Sequence, residues 1–108
     1  MNPQVIRKPR VDRDLIELYL FIAQDKLEPA EAFLRVAEDS FQRLAHMPSI
    51  GRVWQSRHAQ LAGVRVYPLP PPYRSYLVFY RMTGNGVEIL TVLQGSLDLE
   101  AILEELDP

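Results

Sequence analysis

The 108-residue sequence contains no cysteine, which excludes disulfides, cysteine-ligated zinc and thiol nucleophiles and makes the cytoplasm the expected compartment. Long apolar runs are missing too. The longest, Leu18 to Ala23, has six residues, far fewer than the roughly 20 that span a bilayer. No basic-then-apolar opening marks an export signal, so no membrane partner is expected. Histidine is scarce: His46 and His58 stand apart with no HExxH spacing, and no metal site is expected. No glycine-rich phosphate loop occurs, because Gly84 and Gly86 belong to a turn, and neither Ser56 nor Ser96 sits in a GxSxG elbow. Residue types alone therefore give no catalytic residues and no cofactor.

What is present fits one domain over residues 1–108, with 47% hydrophobic and 24% charged residues, long enough to bury roughly two-thirds of its unfolded surface. The net charge of -2 hides an uneven distribution. Residues 1–39 carry six basic and eight acidic side chains, residues 40–87 carry six arginines and no acid, and residues 88–108 carry six acids and no base. The middle segment is a candidate cationic face and the acidic C-terminus a candidate to dock beside it.

Gln4 to Lys8 is short, partly β-branched and closed by Pro9, the pattern of a brief edge strand. Asp12 is placed to cap the next helix, where Leu15, Leu18, Tyr19 and Ile22 form a core-facing stripe. Ile16, Leu20 and Phe21 lie off that stripe, so something must cover a second side of this helix. Glu28-Pro29 opens a second helix that runs through Phe33, Ala37, Phe41 and Leu44 and stops before Pro48. Together they read as a helical hairpin. Residues 48–63 lack a period and read as a surface loop. Val64 to Leu69 is a strand, Pro70 to Pro72 a stiff extended connection, and Ser75 to Met82 and Val87 to Leu93 a hairpin with Asn85-Gly86 as its turn. That register sets Arg81 opposite Leu90 and Tyr80 opposite Thr91. Leu99, Ile102, Leu103 and Leu106 give a short C-terminal helix one apolar face. The fold class is α+β: β-α-α-β-β-β plus a short helix, with the helical hairpin on one face of a small, mainly antiparallel sheet. The opposite face is left to solvent or a partner.

Arginines alternate with aromatics from Arg52 to Arg81. Guanidinium forks bind phosphates or carboxylates at two points, and aromatic rings stack or anchor interfaces. Trp54, Arg65, Arg74, Arg81 and Gln94 are the candidate contacts to a partner or target.

The spaced set Asp14-Leu15-x-x-Leu18, Ile22-Ala23, Ala32-Phe33-Leu34 and Leu44-x-x-x-Pro48-x-x-Gly51 resembles the RelE/ParE toxins of type II toxin-antitoxin systems. So do Leu61-x-Gly63-x-Arg65, Tyr76 to Arg81 and Val87 to Asp98, and the ParE branch is the nearer one. The resemblance implies a toxin neutralised by a tightly bound cognate antitoxin, a small DNA-binding protein, with DNA gyrase as target. It implies a non-enzymatic inhibitor with no sequence-specific nucleic-acid binding of its own. The alternatives are a RelE-like ribosome-dependent mRNA endonuclease using Arg65 and Arg81, or a non-toxic homologue that only binds its antitoxin. The sequence departs from the ParE pattern where a His-Gly-x-Arg-Asp run is expected: Gln94 and Leu97 replace the histidine and arginine.

Overall fold

The computed structural model describes residues 2–106. Its elements are β1 (Gln4–Arg7), α1 (Arg10–Ala23), α2 (Leu27–His46), β2 (Arg52–Val53), a 3-10 turn (Ala59–Leu61), β3 (Arg65–Pro68), β4 (Tyr76–Thr83), β5 (Gly86–Gln94) and α3 (Leu99–Glu104). Five strands form one sheet in the order β1-β5-β4-β3-β2. Only β1 runs parallel to its neighbour, β5; the other pairs are antiparallel. The fold is the expected α+β arrangement with one more strand, since β2 lies in the segment read as loop.

The helices pack on one face because their apolar positions recur with the helical period. Val11 and Leu15 of α1 and Phe33, Ala37, Phe41 and Leu44 of α2 are buried against Val78, Tyr80, Val87, Ile89 and Val92 of the sheet. Arg7 ties β1 to α2, forming a two-point ion pair with Glu38 at 3.0 Å and stacking its guanidinium 5.3 Å above the Phe41 ring. The opposite face is not left open, contrary to expectation. Leu61, Val64, Val66, Phe79, Leu90, Leu93 and Leu103 form a second core there, closed by Trp54, Leu99 and Ile102. The apolar face of α3 and the segment before β3 cover that side.

Three local expectations are corrected. Helix α1 begins at Arg10, with Pro9 as its N-cap at φ -54° and ψ -33°, so Asp12 lies inside the first turn and makes no cap. The proline ring presets a helical φ, and the three residues added ahead of the expected start include the fully buried Val11. The Pro70–Pro72 run turns instead of extending: the Tyr73 amide donates to the Pro70 carbonyl at 2.9 Å, and the Pro71-Pro72 bond is cis. In the hairpin, Thr83 pairs with Gly86, so Gly84-Asn85 form the turn and neither takes a positive φ. Gly86 is needed elsewhere, because a Cβ there would collide with the Gln4 backbone of β1. A bulge leaves Leu90 as the extra residue and places Tyr80 opposite Ile89 and Arg81 opposite Glu88.

Two polar knots lock these layers. β1 stops pairing at Arg7 opposite Ile89, so the Val92 amide lies beyond its reach. The buried Asp14 carboxylate of α1 accepts from that amide at 3.1 Å and from the Thr91 hydroxyl at 2.6 Å, with Arg10 at 3.3 Å. At the far end of α2, the Tyr80 hydroxyl donates to the Pro48 carbonyl at 2.6 Å and accepts the Gly51 amide at 2.9 Å. Burial raises the Tyr80 pKa, partly offset by that amide and by Arg65. A Cβ on Gly51 would sit 2.5 Å from the Tyr80 hydroxyl oxygen. Gly51→Ala is expected to lower stability by about 1–3 kcal/mol through overpacking. Asp14→Ala is expected to cost about 3 kcal/mol, the scale of hydrogen bonds to a charged group. Urea unfolding of each variant checks both.

Candidate partner interface

The outer face of α1 carries large apolar side chains that the fold leaves in water. Ile16, Leu20 and Phe21 are 58%, 56% and 55% exposed. They flank the buried stripe because α2 and the sheet cover only the side bearing Val11, Leu15 and Leu18. The strip ends at a shallow depression lined by Phe21, Ile22, Gln24, Asp25, Pro29 and Tyr76. Contiguous exposed apolar surface of this kind marks an interaction site.

The five expected contact residues are not gathered into one site. Arg65 pairs with Tyr80 across β3 and β4 and therefore shares the helix-covered face, where it donates to the Gly51 carbonyl at 2.7 Å. Arg81 is one residue along β4, on the opposite face, and donates to the Gln60 carbonyl. The two guanidiniums cannot converge on one phosphate. Arg74 is exposed in the turn before β4, and Gln94 pairs with Tyr76 at the same end of the sheet. That end lies a strand length, roughly 20 Å, from Arg81.

Trp54 was expected in an exposed loop, but it is half-buried in the second core, its ring edge-on to Phe79 at 5.3 Å. Its indole N–H donates to Glu100 Oε2 at 2.8 Å, and the Ser56 hydroxyl donates to the other oxygen of the same carboxylate. His58 Nε2 meets Glu104 Oε1 at 2.5 Å. The acidic C-terminal helix thus docks beside the middle segment, as its charge suggested, through a tryptophan, a serine and a histidine. His58, Glu100 and Glu104 bring one ligand atom each within 4.8 Å of one another. Both Glu100 oxygens are already hydrogen-bonded and Glu104 is paired, so these contacts account for the cluster without an ion. His46, at the end of α2, turns its ring to the Gln42 carbonyl at 2.9 Å.

Sequence reasoning missed a second surface at the start of α1. Lys8, Arg10 and Arg13 fall in the N-terminal third, where eight acids mask them in a segmental count, yet they line one groove with Arg81. The i, i+3 spacing of Arg10 and Arg13 was the available signal.

The family described as "ParE toxin of type II toxin-antitoxin system, parDE" matches residues 5–99. The chain belongs to the ParE toxin family. It is 32% identical over 101 residues to Toxin ParE3 of Caulobacter vibrioides, covering 93% of this chain and 94% of that one. The fold is shared with a solved structure of the chromosomal ParDE TA system from P. aeruginosa, with a TM-score of 0.66 over 86% of this chain and 96% of the other at 17% identity. Several residues that carry the ParE resemblance have structural tasks: Asp14 caps the β5 edge, and Pro48 and Gly51 hold the Tyr80 hydroxyl.

The clamp on Glu100 is pH-dependent. Hydrogen bonds from Ser56 and then Trp54, with His58 and Arg57 nearby, hold its carboxyl below the usual 4.5. A lowered carboxyl pKa stabilises the fold above the unfolded value and loses that contribution as pH falls through the folded one. Trp54 is the single tryptophan, so its fluorescence reports the contact. The emission is expected to hold steady down to pH about 4.5 and change below it, and Glu100→Gln should remove that acid step.

Proposed function

We propose that this chain is the toxin half of a type II toxin-antitoxin pair, acting in the cytoplasm by binding DNA gyrase rather than by catalysis. A cognate antitoxin neutralises it by covering the outer face of α1. The observation that carries the antitoxin contact is the strip of Ile16, Leu20 and Phe21, large apolar side chains all more than half exposed on α1. Burying each such side chain is worth about 1.5–3 kcal/mol. An amphipathic helix of a small DNA-binding protein has the matching chemistry.

The gyrase target is drawn from the ParE family and is supported by how the cations are arranged. Ribosome-dependent cleavage would need charged groups converging on a phosphate, but Arg65 and Arg81 point from opposite faces. The Tyr80 hydroxyl is committed to Pro48 and Gly51. In this reading Arg74 and Gln94, at one exposed end of the sheet, contact the target directly. Trp54, Arg65 and Arg81, each hydrogen-bonded within the chain, hold the loops that frame it. Among the described residues no helix is long and apolar enough to cross a membrane.

Expression without antitoxin is expected to arrest growth, and the purified chain to suppress gyrase supercoiling while cleaved complexes accumulate. Unchanged supercoiling with discrete cuts in translated message would transfer the activity to the ribosome. Normal growth would leave only antitoxin binding. For the interface, Ile16→Asp with Leu20→Asp should weaken antitoxin affinity by about 100-fold or more, roughly 2.7 kcal/mol. The thermal midpoint of the free chain should barely move, because both side chains already face water.

A further inference from the structure

The shallow depression at the end of the α1 strip holds two polar groups that the chain itself leaves unused. Tyr76 opens β4 on the helix-covered face, with its ring edge-on to Phe33 of α2 at 5.2 Å, and only 8% of the residue is exposed. Its neighbour Tyr73 donates its hydroxyl to the Pro29 carbonyl at 2.7 Å. The Tyr76 hydroxyl has no hydrogen-bond partner among the described residues. No fully buried side-chain oxygen or nitrogen among them lacks a partner, so this hydroxyl must reach the surface, and the depression that Tyr76 lines is its opening. Burial, with Tyr73 beside it, raises its pKa and keeps it a neutral hydroxyl.

The second unused group is Asp25, the one charged residue among those lining the depression. Its carboxylate makes no ion pair or hydrogen bond among the described residues, and neither does the side chain of Lys26 beside it. Helix α1 ends here with no basic residue in its last turn, so nothing on the chain offsets the negative end of its dipole. The positive start of α2 differs, because Glu28 stands in its first turn. The walls are apolar, formed by Phe21, Ile22 and Pro29, and Phe21 continues directly into the exposed strip with Ile16 and Leu20.

These groups define an occupant. An anion is repelled by Asp25. An apolar side chain would cover both the carboxylate and the Tyr76 hydroxyl without bonding either, at the cost of leaving them desolvated. A guanidinium satisfies both: its fork meets a carboxylate at two points, a further N–H can donate to the hydroxyl oxygen, and its plane stacks on an aromatic ring such as Phe21. Its methylene stem matches the Ile22 and Pro29 walls. We propose that this depression is the socket for an arginine side chain of the antitoxin segment that lies on the α1 strip. The inference rests on the antitoxin reading above and deepens it: the strip supplies apolar contact area, and the socket fixes where along α1 the segment sits and selects among partners.

Binding of the coexpressed cognate antitoxin to the full-length chain tests this, with Asp25→Asn, Tyr76→Phe and the strip variant Ile16→Asp with Leu20→Asp measured side by side. Asp25→Asn should weaken affinity by about tenfold and Tyr76→Phe by about fivefold, the scales of a charged and a neutral hydrogen bond. Neither should lower the thermal midpoint of the free chain, because neither group is bonded within it. One arginine of the antitoxin, replaced by glutamine, should cost about tenfold against the unmodified chain but about twofold or less against Asp25→Asn, the signature of direct coupling. The socket is refuted if Asp25→Asn or Tyr76→Phe binds like the unmodified chain, if Tyr76→Phe destabilises the free chain, or if Asp25 couples to a lysine or to no antitoxin residue instead of an arginine. The strip variant separates the two readings. Loss of affinity there with Asp25→Asn unchanged removes the socket alone, whereas full affinity in the strip variant removes the antitoxin contact on α1 and the socket with it.

Discussion

The Asp14 carboxylate decides how this molecule is assembled. β1 is only four residues long, so the edge of β5 emerges from it with an amide unpaired inside the protein. A buried N–H without a partner costs about as much as a lost hydrogen bond, and nothing in the sheet can reach it. Asp14 reaches it from the second turn of α1, takes the Thr91 hydroxyl as well, and has its own charge balanced by Arg10. The contact fixes the rotation of α1 about its axis. That rotation sends Val11 and Leu15 inward and leaves Ile16, Leu20 and Phe21 outside, so the apolar strip offered to a partner follows from how the sheet edge is satisfied.

The second face of the sheet shows a different way of spending residues. A chain this size has few side chains to spare for two cores, yet α3 and the segment from Trp54 to Val64 close the side away from the helices. Their attachment is mostly polar at the rim, through Glu100 and Glu104, and apolar beneath, through Leu103. The sheet is therefore sealed by its own chain, and the surface open to partners shifts to the helical hairpin and the strand end near Arg74.

Much of this was legible beforehand where local pattern and packing agree. The hairpin helices and the β4–β5 pair were readable because each carries an apolar period long enough to outweigh its neighbours. The two-residue strand β2 was not, since a pair of residues carries no period, and Arg52–Val53 is a strand only because β3 lies beside it. The turn was misplaced by one residue because Asn85-Gly86 has strong local preference, while the close approach of Gln4 claims Gly86 for another purpose. Likewise, Trp54 looked like an exposed anchor, but Phe79 and Glu100, far away in sequence, give it a packed site and a hydrogen-bond acceptor. The candidate arginines were chosen by type, which cannot say that neighbouring positions on a strand pair face opposite ways.

The sequence by itself determined the class of fold, the order of its helices and principal strands, the absence of cysteine chemistry, and the family resemblance, because these depend on composition and on patterns within about twenty residues. The tertiary structure decided the bulge register, the sealing of the second sheet face, the use of Asp14 as an edge cap, and the meeting of Lys8, Arg10 and Arg13 with Arg81. Each of these joins residues distant along the chain, and such pairings are set by which buried polar groups and apolar faces must be satisfied together.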